Sequence, residues 1–163
     1  MRGNIDSVGD MFALTAAKYP DKTALVFQDE RFTYGELNAR VNRLARALTA
    51  AGVRKGDKVA FLFMNSPEFV VTWLAVAKAG AVGVPLNYGL VPRELKYQIG
   101  QADAVAIVFS PLFMERIAAI RDDLPQVRTY LCNGENGTLD FETLPPATRP
   151  MSRRWTSPCM TPT

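Results

Sequence analysis

Residues Lys58 to Leu86 read "KVAFLFMNSPEFVVTWLAVAKAGAVGVPL", and the way this stretch divides decides the fold. Taken as one apolar run, its part from Phe69 to Leu86 has the length of a membrane span. Lys78 and the breakers in "AGAVGVP" split that run into a buried helix and a buried strand. Upstream, "KVAFLFM" is too short for a helix and rich enough in Val and Phe for an interior strand. Between the strands lies a sharp helix start. Ser66 is placed to cap, Pro67 fits the first helical position, where its missing amide proton would have had no partner, and Glu68 meets the positive end of the dipole. The stretch therefore reads strand, helix, strand, with Val59 to Phe63 and Val82 to Val84 as buried strands. Trp73, inside an otherwise Leu, Val and Ala helix, is expected in the core.

The same alternation continues on both sides. Upstream, "TALVF" (Thr23 to Phe27) and "RFTY" (Arg31 to Tyr34) flank "QDE" and read as a hairpin. The helix after it is capped by Thr33, with Glu36 placed three residues on to reach back in a capping box. Leu37, Val41, Leu44 and Leu48 fall on one stripe, Arg40, Arg43 and Arg46 lie largely away from it, and Gly52 stops the helix. Downstream, Pro92 opens a helix with Leu95 and Ile99 on its inner face, and "AVAIVF" (Ala104 to Phe109) is a buried strand. Ser110 and Pro111 start a helix over Leu112 to Ile120, and "VRTYL" (Val127 to Leu131) is a further strand. The economical solution is an α/β fold: a mostly parallel sheet with flanking helices and right-handed crossovers, the hairpin adding an antiparallel edge. Beyond Leu131 the pattern weakens, with "LDFETLPP" at most a short segment and residues 147–163 expected to be mobile.

Composition narrows the function. A chain of 163 residues, 48% apolar, is long enough for one hydrophobic core. Residues 1–146 hold 16 basic and 16 acidic side chains, so the net charge of +3 comes from Arg149, Arg153 and Arg154 in the tail. No contiguous basic surface of the kind needed to displace counterions is legible, so nucleic acid is not an expected partner. With no histidine, and only Cys132 and Cys159, the chain cannot assemble the usual thiol and imidazole zinc sites or a Ser-His-Asp relay. Two separate cysteines and the lack of a long apolar run in the first residues fit a reducing, cytoplasmic setting without a transmembrane segment.

Candidate sites are few. "GVRKGD" and "GAVG" both precede strands, whereas phosphate-binding glycines follow a strand and open a helix, so these glycines read as turns. The pairs Asp29 with Glu30 and Asp122 with Asp123 are adjacent and point in different directions, as solvated turns do. "VPLNYGL" (Val84 to Leu90) is more informative. It ends a strand in Asn87 and Tyr88, where the carboxyl ends of strands in an open parallel sheet line ligand crevices. The pair is a candidate pocket wall, and Asn87 is equally suited to stabilise its own turn.

In this order, "FTYGELNARVNRLARAL", "GVRKGDKVAFLFMNSPEFVVTWLAVAKAGAVGVPLN" and "VPRELKYQIGQADAVAIVFS" resemble the amino-terminal part of the adenylate-forming enzymes. That group contains acyl-CoA synthetases, peptide-synthetase adenylation domains and beetle luciferases. Phe32, Thr33, Tyr34, Glu36 and Leu37 match one family element, and Lys78, Ala79, Gly80, Ala81, Pro85 and Leu86 match a second. The resemblance covers roughly residues 8–131. It implies activation of a carboxylic acid with ATP as an acyl-adenylate and, in the synthetases, transfer to coenzyme A. Asn87 favours the acyl-CoA synthetases, because peptide-synthetase adenylation domains more often place Asp there, and the acid implied is a fatty acid.

The family's chemistry rests on a Ser/Thr/Gly-rich loop ending in "P-K-G", an aromatic and acidic set around adenine and ribose, and a lysine on a mobile carboxy-terminal domain. None of these motifs occurs in the 163 residues. The resemblance therefore implies a truncated amino-terminal part of an AMP-binding acyl-CoA synthetase domain over residues 1–146, followed by an irregular basic tail over 147–163. ATP, Mg2+ and CoA would serve the full-length enzyme, and this chain, with no catalytic, cofactor or metal residue of its own, is expected to be inactive. The alternatives are a noncatalytic α/β module, or a fragment of another adenylate-forming enzyme. The expected partners are a protein, such as a full-length synthetase, or a second copy, met through core surface left uncovered.

Overall fold

Ser7 accepts a hydrogen bond from the Asp10 amide at 3.1 Å, and that cap starts the first helix, α1 (Val8–Lys18), of the computed structural model, which describes residues 7–133 and 141–143. No reading of the sequence above anticipated α1. The described residues fall into two compact units, one holding residues 7–57 with Asn65–Gly83, the other Lys58–Met64 with residues 84–133 and Phe141–Thr143.

In the first unit, β1 (Thr23–Phe27) and β2 (Glu30–Thr33) pair antiparallel. Gln28 turns the corner with φ at 53°. The Thr33 side chain then accepts from the Glu36 amide at 3.2 Å while the Glu36 carboxylate accepts from the Thr33 amide at 2.8 Å, so the expected capping box opens α2 (Tyr34–Ala50). Leu37, Val41, Leu44 and Leu48 are all buried along its inner stripe, and Gly52 takes φ at 89° beyond its end. α3 (Pro67–Lys78) turns Val71, Leu74 and Ala75 inward and packs on both α1 and α2. Gly9 makes the first of these contacts possible: a Cβ there would lie 2.7 Å from the Lys78 Cα.

The second unit is built on a sheet. β3 (Lys58–Leu62) and β5 (Ala104–Phe109) are parallel, with Ala60 opposite Ile107, and β5 is parallel to β6 (Thr129–Asn133), with Val108 opposite Leu131. β4 (Val82–Pro85) lies beside β3, and β7 (Phe141–Thr143) pairs antiparallel with β6, giving the order β4-β3-β5-β6-β7. α4 (Pro92–Gln101) opens at Pro92 as expected and buries Leu95 and Ile99. These meet Leu62, Ile107, Phe109, Phe113 and Ile117 in one apolar cluster. α5 (Met114–Ala118) completes that side.

Several expectations need correction. The hairpin is not an edge of the main sheet but a separate two-stranded sheet. The chain enters α2 directly after β2, and Tyr34 and Gly35 donate to the carbonyls of Lys22 and Pro20, which ties the hairpin to the helix start. Trp73 is 48% exposed, because Val71, Leu74 and Ala75 define the inward stripe and residue 73 points to its far side. Val82 to Val84 form a strand, as expected, but an uncovered one: β4 is the end strand, and Val82 is 51% exposed. Ser66 occupies the N-cap position of α3 without a side-chain hydrogen bond. The expected helix from Leu112 to Ile120 is broken into a 3-10 turn at Pro111–Phe113 and the short α5, since Phe113 leaves the helical well (φ −109°, ψ 9°) with its ring in the core. The tail from Ala147 onward lies outside the described residues.

Candidate functional site

Ligands of open parallel sheets lie beyond the carboxyl ends of the strands, so the residues that follow β3, β4, β5 and β6 are the ones to inspect. Met64 follows β3 and is 49% exposed. After β4, Leu86 is buried and its amide donates to the Phe61 carbonyl at 2.9 Å, which fixes where the chain leaves the sheet. Ser110 ends β5, its amide donating to the Leu62 carbonyl and its hydroxyl accepting from Leu112 at 3.4 Å. Asn133 ends β6 almost fully buried, and its side-chain oxygen has no hydrogen-bond partner among the described residues.

Asn87 and Tyr88, the expected wall residues, are both exposed in this set. The Asn87 side-chain oxygen accepts from the Gly89 amide at 2.8 Å, and its carbonyl accepts from the Leu90 amide at 3.2 Å. Asn87 thus stabilises its own turn, one of the two roles its position suggested. Tyr88 stands at the second position of that turn, 46% exposed. From α5, Arg116 Nη1 donates to the Tyr88 carbonyl at 2.6 Å and to the Leu90 carbonyl at 3.2 Å. Neither Arg116 nor Asn133 was legible as a site residue. Arg116 sits in an ordinary amphipathic stretch, and nothing local marks a partner 28 residues away.

Burial pushes the Tyr130 phenol up from 10.0 to about 12, although the Arg121 guanidinium, 4.7 Å from the ring centroid, pulls it the other way. The phenol donates to the Arg121 carbonyl at 3.4 Å, so this tyrosine acts as a packed core residue rather than an acid or base near neutral pH. The hydrogen bond from the Thr33 amide holds the Glu36 carboxyl below its usual range, as a capping box should. Asp123 pairs with Lys96 at 2.9 Å on the surface, and the half-buried Arg40 lies 4.5 Å over the buried Phe32 ring, where it covers core surface. An open depression of about 490 Å³ in the first unit is lined by Asn42, Arg46, Thr49 and Lys78. Lys78 stands in the last turn of α3, where a cation offsets the helix dipole.

The positive-φ glycines, Gly52, Gly56 and Gly80, each close a turn ahead of a strand, where no helix start presents amides to a phosphate. Among the described residues, no three carboxylates or thiols gather to hold a cation. The two stretches that carry the resemblance have structural work instead. Phe32 and Leu37 are buried, Thr33 and Glu36 form the capping box, and Tyr34 meets Phe12 ring to ring at 5.9 Å. Lys78 and Gly80 end α3 and turn the chain toward β4.

Comparison with known proteins matches the pattern of the AMP-binding enzymes over residues 12–161. A medium/long-chain-fatty-acid–CoA/3-oxocholest-4-en-26-oate–CoA ligase of Mycobacterium marinum is 36% identical over 135 residues, 83% of this chain and 24% of the relative. A crotonobetaine/carnitine–CoA ligase of Salmonella paratyphi B is 35% identical over 158 residues, 90% of this chain and 29% of the relative. Among solved structures, a Mycobacterium tuberculosis fatty acyl CoA synthetase superimposes with a TM-score of 0.72 at 34% identity, covering 77% of this chain and 26% of that one. The chain thus spans roughly a quarter of the length of the curated relatives it matches. With the fold, both signature stretches and the family pattern in agreement along most of its length, the chain belongs to the AMP-binding enzyme family.

Proposed function

We propose that these residues form the amino-terminal scaffold of an ATP-dependent acid–CoA ligase acting on fatty acids. On this reading the 163-residue chain alone makes neither acyl-adenylate nor acyl-CoA. The observation that carries the substrate class is the 36% identity to a medium/long-chain-fatty-acid ligase over 83% of the chain. The fatty acyl CoA synthetase among the structural matches points the same way. The crotonobetaine/carnitine ligase is the competing acid class. Asn87 and Tyr88 are the wall this scaffold contributes to the ligand crevice, while ATP, Mg2+ and CoA are held by groups that the 163 residues do not supply.

The inactivity follows from tolerances. Adenylate formation requires donors aimed at the reacting phosphate and carboxylate within fractions of an ångström, and the family's phosphate-loop and lysine motifs that would supply them do not occur in the 163 residues. The test is acid-dependent ATP–pyrophosphate exchange on the purified, mass-verified chain with short, medium and long fatty acids. Exchange at the no-protein level is expected. Acid-dependent exchange that survives removal of contaminating synthetase would overturn the inactivity. In a second arm, residues 8–131 replace the matching segment of the Mycobacterium tuberculosis fatty acyl CoA synthetase. Retained acyl-CoA formation from fatty acids supports the scaffold reading, and activity gained only with crotonobetaine would move it to the other acid class.

A further inference from the structure

We propose that Arg116 is the positioning residue of the Asn87–Tyr88 turn, so that α5, and not the end of β4 alone, sets where this wall stands. The functional consequence rests on the wall reading above, but the placement itself rests on geometry alone. The four residues from Asn87 to Leu90 form a turn closed by the Leu90 amide on the Asn87 carbonyl and by the Gly89 amide on the Asn87 side chain. Both bonds are local, and they set the shape of the turn without setting its direction. They leave the carbonyls of Tyr88 and Leu90 without a partner inside the turn.

Arg116 supplies the missing tie. A single nitrogen, Nη1, donates to the Tyr88 carbonyl at 2.6 Å and to the Leu90 carbonyl at 3.2 Å. A charged donor makes these bonds stronger than amide pairs. The guanidinium is itself held from below: it lies 5.4 Å from the Phe113 ring centroid, and Phe113 and the neighbouring Ile117 are 5% and 1% exposed in the core of the second unit. Core packing is therefore transmitted through Phe113 and α5 to the backbone from which the exposed Tyr88 side chain projects. On the β4 side the last tie is the Leu86 amide on the Phe61 carbonyl, which fixes where the chain leaves the sheet but stops one residue short of the turn.

Because one nitrogen serves both carbonyls, a lysine ammonium can take over its role and an apolar side chain of similar length cannot. Amide exchange on the full chain separates the two. In Arg116→Met, Gly89 and Leu90 amides are expected to exchange at least about tenfold faster than in the parent, while Ile107 and Val108 in β5 stay within about twofold. Arg116→Lys should return the turn amides to within about threefold of the parent. Unchanged turn amides in Arg116→Met overturn the proposal, and so does a loss of protection spread evenly through β5, which marks a merely structural role. Should Arg116→Met not fold, the unmodified chain decides by nuclear magnetic resonance at low temperature: a resolved Arg116 Nη1 signal supports the tie, and a single rotationally averaged guanidinium signal overturns it. Adding octanoate to the parent chain reads the wall separately. No shift of the Asn87 and Tyr88 amides, with the Arg116→Met contrast intact, refutes the wall and upholds Arg116 as the residue that positions the turn.

Discussion

Tyr130 has a titration that the fold itself creates. Its phenol is raised from 10.0 to about 12, first by burial, so the folded chain keeps a proton that the unfolded chain gives up. The stability from this group is complete below pH 10 and is lost as pH rises toward the folded value of about 12. Urea midpoints measured across that window should fall for the parent and fall less steeply for Tyr130→Phe. Equal slopes for the two proteins would show that the phenol does not contribute. Glu36 is an example of opposite sign: the Thr33 amide lowers its pKa, so its contribution is present at neutral pH and lost as pH falls through the lowered value. The Thr33 and Glu36 pairing could be read from two letters three positions apart. The Tyr130 environment could not, because Arg121 is brought under the ring by a 3-10 turn that no periodicity announces.

At the scale of elements, the approach of α1 to α3 depends on one missing methyl group. A Cβ on Gly9 would stand 2.7 Å from the Lys78 Cα and 2.8 Å from its amide nitrogen, and backbone cannot rotate away as a side chain can. Gly9→Ala should therefore destabilise the chain by about 1–3 kcal/mol, the range for overpacking, in spite of alanine's better helix propensity. Chemical denaturation checks it, and a neutral or stabilising result would mean that α1 shifts freely on α3. α5 teaches a related lesson. Phe113, Ile117 and Ile120 recur with helical spacing, yet only five residues are α-helical, because the Ser-Pro start settles into a tighter turn and Phe113 leaves the helical well. That break gives α5 its own start at Met114, from which Arg116 reaches the turn after β4.

For the whole molecule, the exposed apolar side chains matter more than any pocket. In the first unit Met11, Leu14 and Trp73 are each about half exposed, on helices whose other faces are packed. Exposed apolar groups on packed helices favour association, whether with a partner protein or with a second copy. The purified chain is expected to sediment as more than a monomer, and Trp73→Glu to shift it toward the monomer. A monomeric parent at high concentration would count against self-association. No helix among the described residues is long and apolar enough to cross a membrane, so the apolar stretch from Phe69 to Leu86 resolves into α3 and β4 as its breakers indicated.

What the sequence determined by itself is the set of features whose partners lie within a turn or two. The Thr33 capping box, the Pro67 and Pro92 helix starts, the left-handed Gly52 and the apolar runs of β3 and β5 are all of this kind. Hydrogen bonds to neighbours three or four residues away, and side-chain periodicity, are encoded in adjacent letters. The family was legible for the same reason, since its first stretch is largely a cap and a core stripe. The tertiary structure decided which strand became an edge, which face of α3 met solvent, and that the hairpin stands apart. It also decided that Arg116 would hold the turn bearing Asn87 and Tyr88. Each of these depends on contacts between residues far apart in the chain, chosen by the shared burial of many side chains rather than by any local pattern.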